Sequence, residues 1–142
     1  MGSISSAPIT KKINFEDVQQ SLQQGNVVLI NTLEPHLQQC LIQGTVSVEE
    51  EVKRLNALLA EEPDGRIIIY GMNATDGRGV SKYEQLINLG FTQVFIYSGG
   101  LFEWLLLQDV YGGDMFPTTT PNGDILKYKG KATLRRQGLL QN

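Results

Sequence analysis

The stretch RIIIYGMNATDGRGV, Arg66 to Val80, holds the side chains best suited to binding or proton transfer. A short apolar run is followed at once by a loop that contains Asp76 and Arg78. A strand, a loop and a helix N-terminus often form a cradle for an anion or a catalytic group. This loop has no Cys, Ser or His, so it offers a carboxylate and a guanidinium but no thiol and no imidazole.

The only cysteine, Cys40, and the only histidine, His36, stand outside this loop. A single cysteine excludes an internal disulfide, and one cysteine with one histidine cannot form a Cys/His zinc site within the chain. We therefore expect no metal site and no cofactor. Cys40 is expected to be a small buried apolar residue, with a nucleophilic role as the alternative, and His36 is expected at the surface.

The composition is typical of one soluble domain. The chain has 142 residues, of which 41% are hydrophobic and 19% charged, and no apolar run approaches the roughly 20 residues that span a membrane. The start, MGSISSAPIT, lacks the pattern of a secretory signal. We expect a mobile N-terminus at residues 1–12, an intracellular and cytoplasmic location, and no membrane partner.

The formal net charge of −3 hides a basic C-terminal end. Beyond Asp124 its charged residues are Lys127, Lys129, Lys131, Arg135 and Arg136. Five scattered charges are typical of a solvated surface, so nucleic acid is not an expected partner. Salt-sensitive binding that disappears on truncation after Gly123 would reverse this interpretation.

Two helices have recognisable starts. Asn14 is predicted to cap a first helix that Gly25 ends. Ser47, with Glu50 three residues on, predicts a capping box at the start of a second helix. The apolar face of the second helix is predicted to consist of Val52, Leu55, Leu58 and Leu59.

Two further helices follow the loop. The third is predicted to carry Val80, Tyr83, Leu86 and Ile87 and to end at Gly90. The fourth, LFEWLLLQDVY, contains three consecutive leucines at 105–107, which cannot all face the core. We expect the following residues Met115, Phe116 and Pro117 to cover the outer leucine, with a partner surface as the alternative.

Strands alternate with these helices. The runs VVLINT, IIIY and QVFIY are rich in β-branched and aromatic residues. Shorter strands are predicted at 41–42 and at 125–128. The alternating order predicts right-handed crossovers, a parallel sheet and helices on both of its faces.

The segments INFEDV, VVLINTLE, LIQGTV, RIIIYGMN and LGFTQVFIYSGGLFEW, taken in this order, resemble the rhodanese-like family. The resemblance runs from about Ile13 to about Asp109. It implies a three-layer α/β fold with about five parallel strands and helices on both faces. The domain is assigned to residues 13–112, and residues 113–142 to an irregular extension with a basic tail that packs on it.

Family enzymes carry a cysteine at the start of the loop after the fourth strand and load it with sulfane sulfur as a persulfide. The resemblance places Gly71 or Met72 at that position, and neither has a thiol. We therefore assign no catalytic residue. The loop equivalent to the active site comprises Gly71, Met72, Asn73, Ala74, Thr75, Asp76, Gly77 and Arg78. Further departures are Asn31, Leu33 and Leu41, where the family usually has Asp, Arg and His.

A related branch of the fold, the dual-specificity cell-cycle phosphatases, has a longer loop of the form Cys-x5-Arg. Met72 to Arg78 keeps this spacing without the nucleophile. Asp76 inside such a loop would repel a bound phosphate.

These observations favour a catalytically inactive rhodanese-like domain that acts as a binding or regulatory module. Its partner would be an unidentified protein or a small anionic ligand bound by the loop. A purely structural loop, in which Thr75 or Asp76 caps the third helix, remains open. The alternative is a sulfurtransferase or phosphatase-like enzyme that uses Cys40 as sulfur carrier, or Asp76 with Arg78. In that case the Cys40 sulfur or the Asp76 carboxylate should face the loop amides.

Overall fold

The computed structural model of the chain describes residues 9–25, 27–62, 64–121 and 123–134. The strands are β1 (Lys12–Ile13), β2 (Val27–Asn31), β3 (Arg66–Tyr70) and β4 (Val94–Tyr97). The helices are α1 (Phe15–Gln24), α2 (Val48–Glu61), α3 (Arg78–Asn88) and α4 (Gly100–Tyr111), with short 3₁₀ helices at Pro35–Leu37 and Ile125–Tyr128. None of the helices in these ranges has both the length and the apolar character that a membrane span requires.

The four described strands form one parallel sheet in the order β1-β4-β3-β2. This confirms the predicted α/β fold, with fewer strands than the expected five. Beside β2, a single parallel bridge joins Leu29 to Thr45. Gly44, with a φ of +96°, turns the chain immediately before this bridge. The pairing therefore does not extend into a fifth strand among the described residues.

Two predicted strands are wrong. Ile42 makes only an isolated antiparallel bridge with Thr118, so residues 41–42 do not join the sheet. Residues 125–128 form a 3₁₀ helix, and the Tyr128 ring is buried in the core.

The helices cover both faces of the sheet. In β3, Ile68 and Tyr70 contribute to the core cluster on the side of α1 and α4. Ile67 and Ile69 contribute to the cluster on the side of α2 and α3. This alternation follows from the two-residue period of a strand, and it explains why β3 is apolar on both faces from Ile67 to Ile69.

The helix caps follow the sequence in one case and depart from it in the other. Asn14 forms the predicted cap of α1 and is reinforced by Asp17, because the side chain of each accepts the backbone N–H of the other. Ser47 is the N-cap residue of α2, but its side chain makes no capping bond, so the predicted capping box is wrong. On α2, Leu55 and Leu58 are buried as expected, whereas Val52 and Leu59 are exposed.

The segment after α4 packs against the rest of the chain. We call residues 114–121 and 123–130 the C-terminal strap. Phe116 is buried, and its ring centroid lies 5.0 Å from that of Trp104. The Trp104 indole Nε1–H donates to the Pro117 carbonyl at 3.1 Å. Leu105 is buried, but Leu106 and Met115 are exposed, so the strap leaves the outer leucine open.

The two predicted terminal segments are described only in part. Lys12, at the end of the segment expected to be mobile, pairs with Ile96 in the sheet. Residues 1–8 lie outside the described ranges. Of the basic tail, Lys127, Lys129 and Lys131 are exposed. Arg135 and Arg136 are not among the described residues.

Candidate functional site

The first turn of α4 is hydrogen-bonded to the loop that follows β3. The backbone N–H groups of Leu101 and Phe102 donate to the carbonyls of Gly71 and Met72 at 2.9 and 2.8 Å. Gly100 makes this approach possible. It has a φ of +71°, and a Cβ at this position would lie 2.8 Å from the Gly71 oxygen. Gly100 therefore has a structural role in fixing the loop.

The Asp76 carboxylate lies inside the loop and accepts its N–H groups. Oδ2 accepts the Met72 N–H at 3.0 Å, and Oδ1 accepts the Arg78 N–H at 3.1 Å. The Arg78 guanidinium binds the same two oxygens, Nε to Oδ1 at 3.1 Å and Nη2 to Oδ2 at 3.2 Å. Only 8% of the Asp76 side chain is exposed. The loop thus contains its own anion, held by a bidentate arginine and two amides.

These contacts control the charge of the pair. Burial acts to raise the pKa of Asp76, but the hydrogen bonds from the Arg78 side chain and from the Met72 and Arg78 N–H groups outweigh it. The net effect is a lowered pKa. The hydrogen bond with Asp76 raises the pKa of the Arg78 guanidinium. Asp76 is therefore an ionised carboxylate at neutral pH.

The position of Asp76 also fills the space beside Gly71. A Cβ on Gly71 would lie 2.6 Å from Asp76 Oδ2 and 3.2 Å from Thr32 Oγ1. Both distances are shorter than ordinary van der Waals contact. Gly71 is one of the two positions at which the resemblance predicts the family's cysteine. A cysteine here would require the carboxylate to move.

Met72, the other aligned position, is partly buried against the α1/α4 core cluster. Its sulfur accepts from Arg78 Nη2 at 3.6 Å, and Arg78 Nη1 lies 3.5 Å from Glu34 Oε1. The arginine therefore contacts the loop and the segment after β2 at the same time. Glu34 was not foreseen from the sequence, because it lies on a different crossover.

Asn73 connects the loop to the C-terminal strap. Its Nδ2 donates to the Tyr128 carbonyl at 2.8 Å, and its Oδ1 accepts from the N–H and the hydroxyl of Thr75 at 3.0 and 2.7 Å. Gly130 also lies close, because a Cβ there would be 3.1 Å from Thr75 Oγ1. Ala74 at the tip is exposed. The strap thus lies against the loop, a contact that the sequence did not indicate.

The start of α3 agrees only in part with the prediction that Thr75 or Asp76 caps this helix. The N-cap residue is Gly77, and no side chain makes a capping bond to α3 from this position. Asp76 instead accepts the N–H of the first helical residue, Arg78. Thr75 turns back to Asn73 and does not contribute a cap.

A small cavity lies beside the loop. Its volume is about 140 Å³, and it is lined by loop residues, by Lys12 and by residues 96–98. Cavities that enclose organic ligands usually measure roughly 300 Å³ or more. The size of this cavity suits a few waters or a small ion.

The other two candidates lie elsewhere. Cys40 is 3% exposed in the α1/α4 core cluster, and its thiol donates to the Thr120 carbonyl in the strap at 3.3 Å. His36 is exposed and lies 3.9 Å from the Glu34 carboxylate. Within the described parts of the chain, no three acidic, His or Cys side chains are placed to hold a metal ion.

The departure at Asn31 has a structural explanation. Its side-chain oxygen accepts the Leu33 N–H at 3.0 Å in a buried position. An uncharged amide satisfies this backbone donor without burying an unpaired charge. Neither Asn31 nor Leu33 therefore brings a charge to the loop.

A family model described as the rhodanese-like domain matches residues 14–107. The match covers more than half of the chain, in the region that contains β2 to β4, α1 to α3, the loop and most of α4. The chain belongs to the rhodanese-like domain family.

Several solved structures share the fold. A full-length protein from Lactobacillus plantarum is 16% identical with a TM-score of 0.58, over 78% of this chain and 88% of that one. The rhodanese-like domain of an Anabaena protein is 21% identical with a TM-score of 0.53, over 82% and 88%. A thiosulfate sulfurtransferase from Pseudomonas aeruginosa is 23% identical with a TM-score of 0.55, over 84% of this chain and 23% of that one. No curated protein matches the sequence.

Proposed function

We propose that this rhodanese-like domain neither transfers sulfur nor hydrolyses phosphate esters and that it acts as a binding or regulatory module. The observation that carries the proposal is the Asp76 carboxylate, which occupies the loop beside a glycine. Residues 13–112 are the proposed domain, and residues 113–142 the proposed extension. The bonds of the strap to Asn73 and Cys40 support a common folded unit.

Sulfur transfer needs a thiolate in the loop. The thiolate attacks the sulfane sulfur of thiosulfate, the S–S bond breaks, sulfite leaves and a persulfide remains, from which cyanide then removes the sulfur as thiocyanate. Gly71 and Met72 cannot form the persulfide. The Cys40 thiol is buried and directed at a carbonyl, which favours a structural role.

An enzyme built on Asp76 and Arg78 is disfavoured by their mutual pairing. The Asp76 carboxylate does face the loop amides, as this alternative requires. Both of its oxygens are already engaged, and its lowered pKa makes it a weak base. An anionic substrate or ligand would have to displace this carboxylate from its donors. We therefore favour a protein partner over a small anion.

The direct test is a pair of turnover assays on the purified chain. We expect no thiocyanate from thiosulfate and cyanide and no hydrolysis of an aryl phosphate, with an active rhodanese as positive control. Cys40→Ser is the matched variant, since it removes the only thiol and leaves the loop unchanged. Turnover that persists in this variant would overturn the proposal, and turnover that disappears with it would assign the chemistry to Cys40.

A further inference from the structure

An apolar groove lies between α2 and α3, on the opposite face of the sheet from the strap. It measures about 160 Å³. Its floor is formed by buried residues of the α2/α3 core cluster, Leu55, Leu86 and Phe91. Its walls are formed by exposed apolar side chains, Val52 (68% exposed), Leu59 (40%) and Leu89 (58%).

The exposed residues form a helical stripe. Val48, Val52, Asn56 and Leu59 follow one another at intervals of four, four and three, which places them on one side of α2. Val48 is also exposed. Single exposed apolar residues are common, but a stripe that borders an apolar groove is typical of an interaction surface. α2 therefore has a second apolar face beside the one that packs on the sheet.

The charge around the groove is net negative, because α2 and its C-terminal cap carry glutamates at 49–51 and 61–62 against two cations, Lys53 and Arg54. Among the described residues that line the groove, Lys82 is the one cation, and it is ion-paired with Glu51. Glu49 and Glu62 lie near the two ends of the stripe and are exposed. Neither forms an ion pair within the described residues. A partner that lies along the stripe would therefore meet carboxylates at both of its ends, with Lys53 and Arg54 between them.

This charge pattern selects the occupant. Two copies joined by antiparallel α2 helices would bring the glutamates at 49–51 of one against those at 61–62 of the other, and like charges across an interface are unfavourable. We infer that the groove binds an amphipathic helix of another protein. That helix has apolar residues at i, i+3 or i+4, and i+7 and has Lys or Arg at its flanks. The inference rests on the proposed binding function and names its surface.

The test uses a designed probe. This is a stapled helical peptide of about 14 residues, about the length of α2, with leucine at the spacing above and lysine at the other positions. We expect saturable binding at physiological salt, measured by fluorescence anisotropy. The affinity should be at least about tenfold higher than for a scrambled peptide of the same composition or for a version with glutamate in place of lysine. Amide chemical shifts should change along α2 and α3.

Matched variants separate the groove from the rest of the surface. Val52→Ser with Leu89→Ser should weaken binding about tenfold or more, whereas Val110→Ser, an equally exposed valine on α4, should not change it. Glu49→Lys with Glu62→Lys should weaken binding of the lysine peptide and strengthen binding of the glutamate peptide.

Three results would overturn the inference. They are equal affinity for the scrambled peptide, absence of saturable binding, and shift changes confined to α4 or the strap. A dimer in sedimentation experiments that Val52→Ser abolishes would assign the groove to a second copy instead. Failure of the proposed function is a separate result, because it would appear as turnover in the sulfur-transfer assay on the same preparation.

Discussion

The loop after β3 and the groove between α2 and α3 differ in where their interactions are made. In the loop, the charged and amide groups bind one another, and Asp76 is almost fully covered. In the groove, apolar side chains such as Val52 and Leu89 remain in solvent. The loop that the resemblance predicts to match the family's active site is therefore not the surface most available to a ligand. The exposed apolar surface lies in the groove between α2 and α3.

The largest effect is expected where α4 meets the loop. Gly100→Ala adds a Cβ at a φ of +71° and 2.8 Å from backbone atoms of the loop. Strain at a positive φ and overpacking each cost about 1–3 kcal/mol, so we expect a loss of about 4 kcal/mol in the free energy of unfolding. Urea denaturation measures it.

Gly113→Ala is the control for this prediction. A Cβ there would meet its nearest neighbour at 4.0 Å, so the unfolding free energy should be nearly unchanged. If Gly100→Ala were as stable as this control, the loop would not depend on the close approach of α4.

The second effect tests whether Asp76 fills the site of a cysteine. Gly71→Cys should destabilise by about 2 kcal/mol through overpacking, and Asp76→Ala by about 2 kcal/mol because it leaves the Met72 and Arg78 N–H groups without their acceptor. The double variant should lose less than the sum by about 1 kcal/mol or more, because removal of the carboxylate makes room for the thiol. Strictly additive losses would contradict the overlap.

The third effect is a pH dependence. The folded state lowers the pKa of Asp76, so its ionised form stabilises the fold above the unfolded value of about 3.9. This contribution is lost as the pH falls through the lower folded value. We expect wild type to lose its advantage over Asp76→Asn between about pH 5 and about pH 2 in urea denaturation at constant ionic strength. A constant difference between the two proteins would mean that Asp76 contributes through shape alone.

The smallest effect is expected in the groove. Val52→Ser and Leu89→Ser change exposed side chains, so each should alter the unfolding free energy by about 0.5 kcal/mol or less. Leu55→Ala, at the buried floor of the same groove, should cost about 2–4 kcal/mol. A large loss for the serine variants would mean that the stripe stabilises the fold and is not kept for a partner.

Much of the fold could be predicted from local patterns. The strands around Ile30, Ile68 and Ile96 have apolar side chains on both faces, and Asn14 caps α1 as expected. The expected fifth strand is absent among the described residues, where one bridge at Thr45 stands beside β2. Such a bridge depends on the position of β2, and the β propensity of the segment around Thr45 does not indicate it. Val52 and Leu59 were predicted to belong to the buried face of α2. The spacing of apolar residues indicates which side of a helix is apolar, but it does not indicate how much of that side the neighbouring elements bury.

The loop was located from the sequence, but its internal bonds were not. The pairing of Asp76 with Arg78 is local, and the Asp-x-Arg spacing could have suggested it. The bond from Asn73 to the Tyr128 carbonyl joins residues 55 positions apart, and no local pattern indicates such a contact. The same holds for Glu34, which reaches Arg78 from another crossover.

The contact between Gly71 and Asp76 has a consequence for mutational routes. Gaining the thiol first brings it against the carboxylate. Losing the carboxylate first leaves the Met72 and Arg78 N–H groups without their acceptor and leaves the Arg78 guanidinium with Glu34 as its carboxylate partner. Either first step therefore lowers the stability, and the second step recovers part of the loss. A thiol-bearing loop is therefore reached from a sequence like this one only through a less stable single variant. Among related chains with this loop length, a cysteine at position 71 should therefore accompany a smaller or uncharged residue at position 76.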